Sequence, residues 1–181
     1  MLEGKNVNLR VAEKEDLPLF AEWLNNPEFF GEHFAPLQRS KAELEKMLES
    51  NPSEMKVFVI EKKDGTKIGL VSHFNMLAPY AKMQEIGYAL VPNERGKGYC
   101  TEATQLMVDY LFLSKEIARI QATTHVGNIA SQKVLEKGGF KREGTLRKAI
   151  QSRGEWKDLV IFSILREEWK EPKILTKTAQ K

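Results

Sequence analysis

The stretch "QEIGYALVPNERGKGYCTEATQLMVDYLFL" (residues 84–113) constrains the fold more than any other part of the chain. Residues 84–91 have strand-like composition, and Pro92 ends this predicted strand. Apolar side chains then recur at helical spacing from about residue 99 to residue 113, which predicts a helix. Between the two lies a loop that contains Arg95, Gly96, Lys97 and Gly98. The fold must therefore place a basic, glycine-containing loop where a strand leads into a helix.

The rest of the chain supplies strands and helices on both sides of this unit. Asp64 and Gly65 lie between two strand-like runs and predict a β-hairpin. Ser40 and Glu43 have the spacing of a capping box, which predicts a helix from there to about residue 50. The predicted strands are 8–12, 56–62, 67–76, 84–91, 119–125, 140–150 and 156–165, and the predicted helices are 17–24, 40–50, 99–113 and 128–139.

The order β-α-α-β-β-β-α-β-α-β-β indicates an α/β fold with a mixed sheet. The first half is rich in hairpins, and a β-α-β crossover follows in the middle. At 181 residues, with 41% hydrophobic and 29% charged residues, the chain suits a single core. We expect one domain over residues 1–170 and a polar, flexible tail over residues 171–181.

Composition excludes several classes of function. The net charge is +3 and acidic residues are mixed among the basic ones, so no nucleic-acid partner is expected. The single cysteine, Cys100, rules out an internal disulfide and a cysteine-cluster zinc site. The histidines His33, His73 and His125 lack metal-ligand spacing, and we predict no metal. No apolar run approaches 18 residues and no signal peptide begins the chain, which predicts a cytoplasmic protein with no membrane partner.

The loop before the central helix suits a pyrophosphate. Amides at a helix N-terminus have no intrahelical partner and lie at the positive end of the helix dipole. Gly96 and Gly98 let such amides approach an anion, while Arg95 and Lys97 add positive charge. A plain turn between strand and helix is the alternative. The loop lacks the Gly-Lys-Ser/Thr ending of a Walker A motif and the third glycine of a Rossmann fingerprint.

The pattern Arg95-x-x-Gly98-x-Cys100 resembles the Gln/Arg-x-x-Gly-x-Gly/Ala signature of the GNAT superfamily, the acetyl-CoA-dependent N-acetyltransferases. Cys100 departs from the signature but is small enough to fit. "NLRVAEKEDLPLFAEWLNNP" and "NIASQKVLEKGGFKREGTLRKAI" are similar to parts of the RimJ/RimL branch, which acetylates the N-termini of ribosomal proteins. The likeness covers roughly residues 7–169. It implies a mostly antiparallel sheet flanked by helices, in which a bulged central strand splays from the next strand and opens a V-shaped slot.

The resemblance implies acetyl-CoA as co-substrate and assigns residues to it by position. The loop and the first helical turn would bind the pyrophosphate, the end of the central strand would pair with the pantetheine arm, and an asparagine would bond the cofactor from the next helix. In that order these residues are Arg95, Gly96, Lys97, Gly98, Tyr99, Cys100 and Thr101; Leu90 and Val91; and Asn128.

Acetyl transfer to an amine requires removal of a proton, since an α-ammonium has a pKa of about 8. Glu85, at the start of the central strand, is a candidate to relay that proton through water; the alternative is a surface carboxylate beside Lys82. Ser131 falls where the resembling branch has a serine near the CoA sulfur, and it would donate to the leaving thiolate; the alternative is a helix serine that bonds a preceding carbonyl. Many relatives place a tyrosine acid at the position of Leu135, and Tyr88 is expected to be a packed aromatic.

The acceptor amine is not identified by any motif. In the family, the region of His33 and Phe34 lines the acceptor site, and we predict that these two residues bind substrate. His73 is expected to be structural, and His125 is a candidate to border the slot. Cys100, at the phosphate end of the cofactor, is expected to be a packing residue and not a nucleophile.

The leading hypothesis is an N-acetyltransferase in which a primary amine, on a protein N-terminus or a small molecule, attacks acetyl-CoA directly. A homodimer is a candidate assembly, since dimers are common in the family. One alternative is a non-catalytic or regulatory acyl-CoA-binding module of the same fold. Another is a nucleotide- or phosphate-binding domain that reuses the loop.

Overall fold

The computed structural model describes residues 1–49, 55–75, 83–172 and 174. The strands are β1 Leu2–Glu3, β2 Val7–Val11, β3 Met55–Lys62, β4 Lys67–Asn75, β5 Met83–Leu90, β6 Arg119–His125, β7 Lys141–Ser152 and β8 Glu155–Leu165. The α-helices are α1 Leu17–Asn25, α2 Pro27–Phe30, α3 Lys41–Glu49, α4 Tyr99–Ser114 and α5 Ile129–Lys137.

The strands form one eight-stranded sheet in the order β1-β2-β3-β4-β5-β6-β8-β7. All neighbouring pairs are antiparallel except β5 and β6, which are parallel because α4 crosses between them. The predicted α/β fold with a mixed, mostly antiparallel sheet is therefore confirmed. The hairpin turn at Gly65 (φ +84°) and the capping box of Ser40 and Glu43 are also confirmed.

Two short elements were not predicted. The two-residue strand β1 pairs with β2, with Leu2 opposite Leu9. Pro27, interpreted from the sequence as the end of α1, instead begins the single turn α2. Asn26 caps this turn, since its side-chain oxygen accepts a hydrogen bond from the Glu28 amide at 2.9 Å. The chain therefore makes a further helical turn after α1 before it enters the irregular segment 31–40.

The sheet separates two hydrophobic layers, as the alternation along β3 shows. Phe58 and Ile60 point into the layer beneath α4, whereas Val57 and Val59 point into the layer beneath α1 and α3. Leu106 and Met107 of α4 are fully buried in the first layer, and Phe20 of α1 is fully buried in the second. Both faces of the central strands are thereby covered, and β5 runs between the two layers.

A buried carboxylate ties the second layer to the sheet. Asp16, 1% exposed, accepts hydrogen bonds from both terminal nitrogens of Arg10 at 2.9 Å and from Lys67 Nζ at 2.7 Å. Burial alone would raise the pKa of Asp16, but the hydrogen bonds from Arg10 and Lys67 outweigh it and hold this pKa well below its usual range. The cluster joins β2, β4 and the start of α1.

The chain after β8 returns to α4. Trp169 Nε1 donates to Asp109 Oδ1 at 2.7 Å, and the Ile174 amide donates to Asp109 Oδ2 at 3.0 Å. Ile174 lies within the predicted flexible tail, and residue 173 and residues 175–181 lie outside the described residues. Within the described part of the chain, no helix combines the length and the apolar character that crossing a bilayer requires.

Candidate active site

β5 and β6 diverge along their length and leave a slot. They pair only at their starts within the described residues, from Met83–Arg119 to Glu85–Gln121. Beyond that point β5 follows β4 in continuous register to the pair Leu90–Gly69, and β6 follows β8 to the pair His125–Leu159. The predicted splay is confirmed. The predicted bulge in the central strand is wrong, because the register between β4 and β5 does not shift; each strand simply stays with its antiparallel partner.

The slot is a cavity of about 400 Å³, within the usual range for small-molecule sites. Its walls come from β5, β6, the start of α5, the loop before α4 and the α2 segment. The predicted site residues that line it are His33, Phe34, Leu90, Arg95, Gly96, Cys100, Asn128 and Ser131. The other predicted residues, all within the described part of the chain, lie outside the lining: Glu85, Val91, Lys97, Gly98, Tyr99 and Thr101.

The backbone of β5 turns the amide and carbonyl groups of alternate residues toward the slot. The Val91 amide donates to the Ile68 carbonyl on β4 at 2.9 Å. Because backbone groups alternate between the two sides of a strand, those of Tyr88 and Leu90 point the other way, toward the slot. The prediction that Val91 pairs with a ligand in the slot is therefore wrong for its amide, which is engaged within the sheet. The backbone amide of Leu90 does point toward the slot, as pairing with a ligand requires.

The loop before α4 has a conformation that requires glycine. Gly96 and Gly98 have φ values of +77° and +87°, and a Cβ at either position would meet no atom within 4 Å. The Glu102 amide donates to the Gly98 carbonyl at 3.1 Å, so the helical hydrogen bonds begin there and the first-turn amides of α4 lack intrahelical acceptors. The loop therefore combines open space with amides available to an anion.

Arg95 is engaged within the protein. Its Nε donates to the Leu90 carbonyl at 3.1 Å, and one Nη donates to the Glu28 and Phe29 carbonyls, each at 2.8 Å. Its amide donates to the Pro92 carbonyl at 3.2 Å. The prediction that the Arg95 amide binds a pyrophosphate is wrong, because this amide is engaged within the loop. The guanidinium joins the α2 segment to the loop, and the contribution of its charge to the site stays a prediction. Lys97, about half exposed, pairs with Glu94 at 2.9 Å.

The hydroxyls of Tyr88 and Ser131 form a pair across the slot. They lie 2.9 Å apart, and the Tyr88 hydroxyl is also 3.2 Å from the Ser131 carbonyl oxygen. Asn128 caps α5 through a hydrogen bond from the Ser131 amide at 3.1 Å, which fixes the position of Ser131. Burial raises the pKa of Tyr88, so its phenol stays protonated. The sequence pattern indicates only a packed aromatic at Tyr88. A signal was nevertheless present: Tyr88 lies two residues from both Ile86 and Leu90 on β5, so all three side chains point to the same face of the sheet, the one that α5 covers.

Glu85 lies at the closed end of the slot, where β5 and β6 still pair. Its carboxylate accepts hydrogen bonds from Thr123 Oγ1 at 2.8 Å and from Gln121 Nε2 at 3.0 Å. Thr123 lines the cavity and Glu85 does not, so any contact of Glu85 with the slot passes through Thr123 or water. Lys82, the partner considered in the alternative interpretation, lies outside the described residues.

The opposite rim of the slot is aromatic. His33 and His125 stack with ring centroids 5.0 Å apart, and Phe34 packs on Phe30 at 5.8 Å. Burial, followed by the charge of His33, lowers the pKa of His125. Arg153, in the turn between β7 and β8, donates to the Phe34 carbonyl at 3.2 Å and holds this rim in place.

The remaining singled-out residues are structural in their contacts. His73 is 1% exposed, and its Nδ1 lies 2.7 Å from Gln84 Oε1. Burial lowers the pKa of His73 to about 4, so the ring is neutral. Burial also raises the pKa of Cys100 to about 12, which keeps this residue a thiol near neutral pH. The prediction that the protein binds no metal stays a prediction.

A slot between splayed parallel strands, with a glycine loop at the following helix, is the architecture that the sequence resemblance implied. Residues 6–141 match the model of the acetyltransferase (GNAT) domain family. The chain belongs to this family and is an N-acetyltransferase.

Known relatives agree with this assignment. The chain is 34% identical over 180 residues to a probable N-acetyltransferase, YjcK, of Bacillus subtilis, covering 91% of this chain and 97% of that protein. It is 32% identical over 108 residues to the ribosomal-protein-serine acetyltransferase of Escherichia coli, covering 59% and 60% of the two chains. Spermidine N-acetyltransferase from Vibrio cholerae, solved with CoA and spermine, has the same fold, with a TM-score of 0.79, 24% identity and coverage of 90% and 97%.

Proposed function

We propose that this N-acetyltransferase moves the acetyl group of acetyl-CoA to a primary amine by direct attack, without an acetylated enzyme intermediate. The observation that carries the proposal is the slot itself. It brings together an open backbone edge on β5, a glycine loop, an aromatic rim and the Tyr88–Ser131 hydroxyl pair.

The cofactor end fits a pyrophosphate and an extended pantetheine arm. Gly96 and Gly98 leave space over the first-turn amides of α4, which suit the two phosphates. The amide of Leu90 and the carbonyl of Tyr88 point toward the slot, whereas the Leu90 carbonyl accepts from Arg95. An extended arm would pair with the first two groups as a further strand does. Lys97 would contribute charge from the surface, and Asn128 and Ser131 would contact the arm from the start of α5.

The chemistry requires a neutral amine, a stabilised oxyanion and a stabilised thiolate. The amine lone pair attacks the thioester carbonyl carbon, and the backbone amide of Tyr88, which points toward the slot two residues before Leu90, is a suitable donor to the resulting oxyanion. Glu85, reached through Thr123 or water, would accept the amine proton. When the C–S bond breaks, its electron pair goes to sulfur, and the Ser131 hydroxyl would donate a hydrogen bond to the thiolate.

The acceptor would enter beside His33 and Phe34. Within the described lining of the cavity the only acidic side chain is that of Glu32, which is largely exposed. A polycation has little to pair with there, so the rim favours an amine whose remaining part is neutral or apolar, on a protein N-terminus or a small molecule. We retain the cytoplasmic location, the absence of a nucleic-acid partner and the candidate homodimer as predictions.

The test is turnover of acetyl-CoA with a panel of peptide N-termini and small amines, followed by thiol release. We expect release that depends on the amine and saturates with acetyl-CoA, and no acetylated protein by mass spectrometry before the amine is added. CoA binding without turnover of any amine would instead indicate a non-catalytic module. A larger thermal stabilisation by ATP than by CoA would indicate a nucleotide-binding domain.

A further inference from the structure

The contact between Tyr88 and Ser131 indicates a role for Tyr88, which the sequence pattern predicts only to be a packed aromatic. A phenol has one hydrogen, and two acceptors compete for it: Ser131 Oγ at 2.9 Å and the Ser131 carbonyl at 3.2 Å. The first distance lies in the ordinary range for O–H···O hydrogen bonds, and the second is longer than that range. The direction of the first bond decides where the hydrogen of Ser131 points.

Two arrangements of the pair are geometrically allowed. If Tyr88 donates to the carbonyl, the Ser131 hydroxyl donates its hydrogen to the phenol oxygen and has none left for a ligand in the slot. If Tyr88 donates to Ser131 Oγ, the Ser131 hydrogen is free to point into the slot. An acceptor in the slot selects the second arrangement, because it then uses both hydrogens of the pair.

We propose that Tyr88 is a positioning residue that donates to Ser131 Oγ and so directs the Ser131 hydrogen to the sulfur of the departing CoA thiolate. This inference rests on the proposed function and names a further residue in the same reaction. The phenol oxygen keeps its proton throughout. The electron pair of the broken C–S bond stays on sulfur, which is stabilised by the hydrogen bond from Ser131 and later takes a proton from solvent.

Two features of the structure support this role. Burial raises the pKa of Tyr88, so the phenol donates a hydrogen bond and does not lose its proton. The backbone of Ser131 is held by Asn128, and the ring of Tyr88 packs in the layer beneath α4, so both partners are fixed before a ligand binds. Without the phenol, the Ser131 hydroxyl is free to rotate toward a carbonyl of its own helix.

The test uses CoA itself and does not depend on turnover. Loss of the S–H band of bound CoA in Raman difference spectra, taken against the CoA-free protein at each pH, gives the pH midpoint of the bound thiol. We expect this midpoint to be lower in the wild-type complex than in free CoA, and to rise toward that of free CoA in Tyr88→Phe and Ser131→Ala. Subtraction of the CoA-free protein removes the contribution of Cys100, which lines the slot.

Kinetics supply the second readout. Ser131→Ala should lower kcat by about 10- to 100-fold with little change in KM for acetyl-CoA, and Tyr88→Phe by about 3- to 10-fold. Since Tyr88 acts through Ser131, the double variant should be no slower than Ser131→Ala alone. Tyr110→Phe is the matched control: this tyrosine of α4 packs edge-on against Phe58 outside the slot, and its loss of a hydroxyl should change neither readout.

The outcomes separate the inference from the proposed function. Equal thiol midpoints in wild type and Tyr88→Phe, or additive losses in the double variant, would overturn the role of Tyr88 while leaving acetyl transfer intact. A lowered midpoint with no turnover of any amine would support the Tyr88–Ser131 pair and contradict the proposed reaction. Absence of CoA binding to the wild-type protein would remove both.

Discussion

At the scale of single residues, the surroundings of Glu85 define what it can do. Its two carboxylate oxygens accept hydrogen bonds from Thr123 and Gln121, both on β6, at the point where β5 and β6 separate. Thr123 is the member of this group that reaches the cavity. Glu85 is therefore connected to the slot by one hydroxyl, and a proton transferred to it must pass through that hydroxyl or a water molecule.

Glu85→Gln tests this connection, because glutamine keeps the shape of the side chain but does not accept a proton. We expect kcat/KM to fall by about 10- to 100-fold at pH 7 and to recover above about pH 8, where an α-amino acceptor loses its proton in bulk water. The measurement is a pH–rate profile with an α-amino acceptor.

Thr123→Val is the matched variant, since it keeps the carboxylate and removes the hydroxyl that links it to the slot. If the proton passes through Thr123, this variant should show the same dependence on pH. Profiles of both variants that superimpose on the wild-type profile would exclude Glu85 from the reaction.

At the scale of elements, the glycine loop and the β3–β4 hairpin each contain a glycine with a similar positive φ. Gly98 has φ +87° and Gly65 has φ +84°, and a Cβ added at either glycine would have no neighbouring atom within 4 Å. Valine at either position carries a similar backbone strain, of about 1–3 kcal/mol. Only Gly98 lies at the proposed pyrophosphate site.

Gly98→Val should therefore weaken CoA binding strongly, by at least about tenfold, whereas Gly65→Val should leave it unchanged, with similar losses of stability in both variants. Calorimetric titration with CoA and urea unfolding measure the two effects. A folded Gly98→Val protein with wild-type CoA affinity would contradict the assignment of the loop.

Elements with a clear period or a capping signal were predictable from the sequence, whereas contacts between elements were not. The strand Arg119–His125 has the predicted bounds, and α4 differs by one residue at its end. β1 and α2 were missed because two and four residues are too short to show a period. The directions of the Arg95 guanidinium and the Tyr88 phenol depend on how α2 and α5 sit against β5, and no local pattern specifies that.

At the scale of the whole molecule, stability depends on polar groups as well as on the two hydrophobic layers. Asp16 is buried with Arg10 and Lys67 as its partners, and Arg10 also pairs with Glu61 at 2.9 Å. Removing the central carboxylate leaves two cations with fewer partners at the edge of the second layer. Such a change costs more than the loss of an exposed ion pair.

Asp16→Asn should lower the free energy of unfolding by about 3 kcal/mol at pH 7, measured by urea denaturation. The folded-state pKa of Asp16 is depressed, so its contribution is present above the unfolded value of about 3.9 and is lost as the pH falls below it. The stability difference between wild type and variant should therefore shrink below about pH 4.

Glu49→Gln is the control for an exposed pair, since Glu49 pairs with Lys14 at 2.8 Å and both side chains are more than half exposed; it should cost far less than Asp16→Asn. If Asp16→Asn lost no more stability than Glu49→Gln, the buried cluster would contribute no more than an exposed ion pair.

The short contact between β5 and β6 has a mechanical consequence. Among the described residues three pairs join the two strands, so the sheet consists of a five-stranded part and a three-stranded part that meet along a brief seam. Beyond Glu85 the described residues form no backbone hydrogen-bond ladder between the two parts. A molecule seated in the slot would contact β5 on one side and α5 on the other, and would thereby connect the two parts of the sheet mechanically.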